Sequence, residues 1–122
     1  MRIKTGRYGG FSLVELMIVV AVIGLLLALA IPHFVKARST SQLGIIYNNL
    51  RAIESAKDQW ALDYKKGTGE ATDLPALSDY LKGGTVKRVV NEVYESNRIG
   101  SAAYATNVRL GTYAPTDPIS IP

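Results

Sequence analysis

Between Phe11 and Phe34 the chain reads FSLVELMIVVAVIGLLLALAIPHF, a run with one acid, Glu15, and no lysine or arginine. From Leu16 to Ile31 no residue is charged or strongly polar. A bilayer core is crossed by about 20 predominantly apolar residues of helix, so this run is long enough to span, provided Glu15 is accommodated. Gly24 is tolerated within such a helix, and Pro32, near its end, predicts a kink or local loosening. The chain has 122 residues, enough for one small domain besides this run.

Beyond Pro32 the pattern becomes amphipathic. Leu43, Ile46, Leu50, Ile53, Trp60 and Tyr64 recur in steps of three, four and seven, with Tyr47 and Ala56 flanking them. Arg51, Glu54, Lys57, Asp58 and Lys65 fall mostly off that stripe. The spacing predicts a helix with one face against a compact partner, stopped at Gly67-Thr68-Gly69. A single rod from Phe11 to Tyr64 would be about 80 Å long, so only part of it could lie in a membrane. Thr72-Asp73-Leu74-Pro75 reads as an N-cap with proline in the first turn of a short helix ending at Leu81. Strands are expected near Glu92–Asn97, at Val108–Tyr113 and at Ile119–Ile121, with turns at Pro115 and Pro118. The fold class is therefore α+β: a long N-terminal helix, then a small domain with a short helix and a few antiparallel strands.

The 14 Lys and Arg residues outnumber the 10 Asp and Glu, but the excess is local. Arg2, Lys4 and Arg7 stand in the first ten residues without an acid, whereas the part after Phe34 is close to balance, with 11 bases against 9 acids. A nucleic-acid surface would need the bases clustered on the folded part, so none is expected. There is no cysteine, hence no disulfide, thiolate metal site or lipidated cysteine. His33, the only histidine, has no cysteine or acidic cluster near it in sequence and reads as structural or solvated. No nucleophile elbow, phosphate loop or metal-ligand spacing is present, so neither catalysis nor a cofactor is expected. Trp60 reads as core, and Asp63 with Lys66 as a solvated surface pair.

The informative block is Gly10-Phe11-Ser12-Leu13-Val14-Glu15-Leu16-Met17. It resembles the prepilin signature shared by type IV pilins and type II secretion pseudopilins: a glycine, phenylalanine, a small residue, two aliphatics, glutamate and an apolar helix. Gly24 and Pro32 also stand where that family usually has glycine and proline. The resemblance is specific over about residues 6–34, and beyond them only the architecture matches. It implies a leader of residues 1–10, a transmembrane and assembly helix at 11–34, and a periplasmic pilin-like domain at 35–122. It further implies that prepilin peptidase cuts between Gly10 and Phe11 and methylates the new amino group, while the apolar segment stays on the mature chain, unlike a secretory signal. Glycine gives a protease close access to the backbone, and the leader charges Arg2, Lys4 and Arg7 favour a cytoplasmic leader.

Glu15 needs a partner. A charge at the centre of a span costs about 2.5–3.5 kcal/mol on insertion scales, and less near an end. The amine freed at Phe11 would be cationic at neutral pH, because α-amino groups titrate near pKa ~8. At about 4 Å and an effective dielectric near 20 the two charges attract by roughly 4 kcal/mol before desolvation. The resemblance implies that the amine belongs to a neighbouring copy, so that Phe11 and Glu15 set the register of a homo-oligomeric filament built at an inner-membrane platform with other pseudopilins. Calcium binding, common in major pseudopilins, is not carried over, because Asp117 is the only acid after Arg98. The missing cysteine pair and the small part after Tyr64 favour a pseudopilin over a pilin. Two other readings stay open: a small secreted binding protein cut after Ala30 in Ala28-Leu29-Ala30, and a membrane-anchored enzyme or sensor with an uncut anchor. The face of Tyr94, Tyr104 and Tyr113 reads equally as core or interface.

Overall fold

The computed structural model describes residues 10–111 and 117–122; the leader bases Arg2, Lys4 and Arg7, together with Tyr113 and Pro115, lie outside them. The chain forms two compact units, Met1–Lys36 and Ala37–Pro122. Helix α1, Leu13–Asp63, contributes its first part to one unit and its second part to the other.

In the first unit the large apolar side chains from Phe11 to Val35 are 50 to 83 % exposed. An all-apolar helix with no protein around it is matched to a hydrocarbon surrounding, and this helix is long and apolar enough to cross a membrane. Helical backbone runs without a break through Gly24 and Pro32. Pro32 has no N–H to give the carbonyl one turn earlier, so the local ladder is one bond short there.

In the second unit Ile46, Leu50, Ile53 and Ala56 are buried, at the three- and four-residue steps of one helix face. They meet Leu77, Leu81, Tyr94, Ala103, Ala105, Val108 and Leu110 in a single core, with Leu43, Tyr47 and Trp60 packed at its margin. Two residues depart from the expected stripe. Tyr64 is exposed because α1 has already ended, and its ring leans on Trp60 at a centroid distance of 5.6 Å. Lys57, placed by its charge on the solvent side, is buried.

The helix stops before Gly67. Lys65 takes a φ of 52°, its N–H donates to Leu62 O at 3.4 Å, and that of Lys66 donates to Ala61 O at 2.8 Å. This is a Schellman closure with lysine in the place glycine usually takes. The short helix of Pro75–Tyr80 is of 3-10 type, since six residues close few i→i−4 bonds. The Oδ1 of Asp73 accepts from the N–H of Ala76 at 3.0 Å, and Leu81 is already extended.

Strands β1 (Val93–Glu95), β2 (Tyr104–Thr106) and β3 (Ile119–Ser120) form an antiparallel meander, with Tyr94 opposite Ala105 and Ala105 opposite Ile119. β1 and β3 fall within the expected segments. The strand expected at Val108–Tyr113 is displaced to β2, because Asn107, at a φ of 57°, ends the extended run. Val108 and Leu110 then turn into the core, and Thr112 and Tyr113 lie outside the described residues. Of the three tyrosines, Tyr94 is core and Tyr104 half-buried.

Candidate functional site

The site is the start of α1. Gly10, Phe11 and Ser12 are non-helical and exposed, and the helix begins at Leu13. Among the described residues, nothing beyond its own chain neighbours lies within 4 Å of where a Cβ on Gly10 would stand. The Ser12 hydroxyl accepts from the Glu15 N–H at 3.2 Å, while Glu15 Oε2 accepts from the Ser12 N–H at 3.0 Å. This reciprocal pair is a capping box, which satisfies two of the donors a helix start leaves open. It also places the one acid of the apolar run against the positive end of the helix dipole. Sequence reasoning gave Glu15 an intersubunit role only. The signal was nonetheless present, since serine followed three residues later by glutamate ahead of an apolar run is the capping pattern. A carboxylate has about four acceptor positions, so one bond to Ser12 leaves room for a cation.

Within 25 residues, Gly10–Phe34 thus combine an accessible Gly10–Phe11 bond, a capped helix start and an exposed apolar surface. The segment matches the family model described as the prokaryotic N-terminal methylation motif over residues 6–31. Type II secretion system core protein G of Escherichia coli K12 is 30 % identical over 95 residues, which cover 70 % of this chain and 66 % of that protein. The chain belongs to the type IV pilin-like family. Its relatives include both pilins and secretion pseudopilins. Fimbrial protein Q of Moraxella bovis is 33 % identical over 102 residues, covering 80 % of this pilin-like chain and 62 % of the relative. The type IV major pilin protein PilA of Myxococcus xanthus is 49 % identical over 51 residues, covering 42 % of the chain but 23 % of PilA. The chain thus spans under a quarter of that pilin's length. No solved structure matches at a comparable significance.

Several other chemistry-bearing side chains of the pilin-like domain are engaged in the fold. Glu92 is fully buried: Oε1 accepts from Val89 N–H at 2.9 Å and from the Tyr94 hydroxyl at 2.7 Å, and Oε2 accepts from Val90 N–H at 2.7 Å. Asn49 Nδ2 donates to the Tyr94 oxygen at 2.8 Å and to Lys87 O at 3.0 Å, which ties α1 to this loop. Burial pushes the Glu92 carboxyl up, but the donors from Val90, Tyr94 and Val89 together outweigh it and hold the group below its ordinary value. Burial raises the Tyr94 phenol; the bond from Asn49 lowers it, and the hydrogen bond to Glu92 raises it further. Asp63 does not pair with Lys66: it accepts the Tyr80 hydroxyl at 2.7 Å, which pushes that phenol up to about 12, and Lys66 pairs with Glu70 at 3.1 Å. His33 is exposed on α1. Among the described residues no three His, Asp or Glu gather as a metal site. A cleft lined by Leu74, Pro75, Leu81, Gly84, Thr85 and Val86 has no titratable group in its wall.

Proposed function

We propose that the chain is a structural subunit of a type II secretion pseudopilus, made as a prepilin, cut between Gly10 and Phe11 and N-methylated on Phe11. Residues 1–10 are the leader, 11–34 the membrane-spanning and assembly helix, and 35–122 the periplasmic domain. Before assembly the protein sits in a bacterial inner membrane as a single-pass subunit, and afterwards in a filament held through the apolar part of α1. Its partners are further copies of itself, prepilin peptidase, and an inner-membrane platform with other pseudopilins.

The observation that carries this reading is the single carboxylate at the head of an exposed apolar helix, directly after an accessible Gly10–Phe11 bond. In the filament Glu15 pairs with the Phe11 amine of the adjacent copy. Ser12 supports that role by drawing the carboxylate back to the end of the helix where such an amine arrives. Methylation leaves the amine basic, so the attraction survives it. The Escherichia coli core protein G favours the secretion assignment, because its likeness extends well past the apolar helix. Fimbrial protein Q, with its coverage of 80 % of the chain, favours a type IV pilus subunit as the second reading.

Mass spectrometry of the membrane form is expected to find N-methylated Phe11 as the first residue; a mature chain starting at Ile31 or Met1 refutes the proposal. Glu15→Ala and Glu15→Val are expected to insert and be cut as the parent is, yet to give few or no filaments by electron microscopy. Normal filaments from either variant refute the pairing. Deleting the gene separates the two readings: lost protein secretion with intact surface pili supports the first, and the reverse supports the second.

A further inference from the structure

Lys57 is the one lysine buried among the described residues, at 1 % exposure, and its ammonium is enclosed by oxygen. Nζ lies 2.9 Å from Glu54 Oε1, 2.5 Å from Ser101 O and 3.3 Å from Arg98 O. An ammonium has three N–H donors, and three acceptors surround this one. Two of them are main-chain carbonyls from the loop between β1 and β2, more than forty residues along the chain. The same Glu54 oxygen also accepts the N–H of Ala103, at the end of that loop. One turn of α1 thus collects two carbonyls and one amide from a single irregular segment.

The loop brings its oxygens together by a tight turn. Ser101 N–H donates to Arg98 O at 3.0 Å, and Gly100 sits at a φ of 83° with its α-carbon against the Thr68 methyl, where a Cβ would come within 2.6 Å. Converging carbonyl dipoles beside a carboxylate repel one another unless a cation lies between them. Here the cation comes from within the chain.

We propose that Lys57 is an internal cation, filling a primary-ammonium site built from Glu54, Arg98 O and Ser101 O, and that its charge holds these carbonyls of the β1–β2 loop on α1 with no external ion. The site recognises one positive charge carried on a slim alkyl stem, which is buried with it. Lys57→Ala removes a propylammonium group and leaves the oxygens facing a gap of that shape. The device does not depend on filament assembly, so it stands or falls separately from the pairing of Glu15.

The test uses the full chain in detergent micelles, with hydrogen exchange of residues 97–103 read by mass spectrometry. The wild-type loop is expected to keep its protection in the presence of EDTA. In Lys57→Ala its exchange rises by about tenfold or more, the scale of losing one hydrogen bond to a charged group, and n-propylammonium restores protection where equimolar 1-propanol does not. Should the alanine variant fail to fold, Lys57→Met, which keeps an apolar stem without charge, is expected to loosen the same loop. Three results overturn the proposal: a wild-type loop loosened by EDTA, full loop protection in Lys57→Met, or equal rescue by 1-propanol.

Discussion

Replacing Glu92 with glutamine keeps the shape of the side chain and removes its charge, which isolates what the carboxylate does. In the native fold its two oxygens accept from Val89 N–H, Val90 N–H and the Tyr94 hydroxyl. A glutamine retains one oxygen, and its amide nitrogen must then face at least one of these donors. Hydrogen bonds to a charged group contribute about 1.5–3 kcal/mol each, and a buried donor left unpaired costs about 1–3 kcal/mol, so a loss of roughly 2–4 kcal/mol is expected. For a domain of this size about 1 kcal/mol moves the midpoint by ~4–8 °C, so the melting temperature should fall by roughly 10 °C or more.

The effect has a pH signature. Folding lowers the Glu92 pKa, so its contribution is complete above the unfolded carboxyl value of about 4.3 and disappears as pH falls through the lower folded value. The gap between wild type and Glu92→Gln should therefore be constant from neutral pH to about pH 5 and narrow below it. Trp60, the only tryptophan, is packed at the margin of the core and reports the transition by fluorescence in detergent micelles. Equal stability at pH 7, or a gap undiminished down to pH 3, would refute the reasoning.

Asp63→Asn should return the Tyr80 phenol from about 12 towards its ordinary value of 10.0, seen by ultraviolet titration of Tyr80 against a Tyr80→Phe reference. Because folding raises that pKa, whatever the Tyr80–Asp63 bond adds to stability is present below pH 10 and lost as pH climbs towards 12. Leu50→Ala, at a fully buried position in the middle of the core stripe, should cost about 2–5 kcal/mol, read as a lower midpoint of Trp60 fluorescence.

The long helix and its two characters were legible because they are written in local periodicity. An unbroken apolar run and a stripe at Ile46, Leu50 and Ile53 each depend only on residues a turn apart. The cap is legible too, since Ser12 and Glu15 stand three residues apart ahead of an apolar run. β2 gave little warning: Tyr104-Ala105-Thr106 has a small residue at its buried place, and its pairing comes from β1 and β3. Lys57 misled for a related reason. Charge predicts exposure for an isolated lysine, and no neighbour in sequence announces carbonyls arriving from Arg98 and Ser101.

By itself the sequence determined the family, the helix long and apolar enough to cross a membrane and the acid at its head, because apolar length and short-range spacing are properties of the chain before it folds. Only the tertiary structure decided which polar groups are buried. Lys57 and Glu92 are acceptable inside because partners 41 and 44 residues away, or donors gathered by a tight loop, replace the water they lose. That replacement exists only once the loops have closed on the helix.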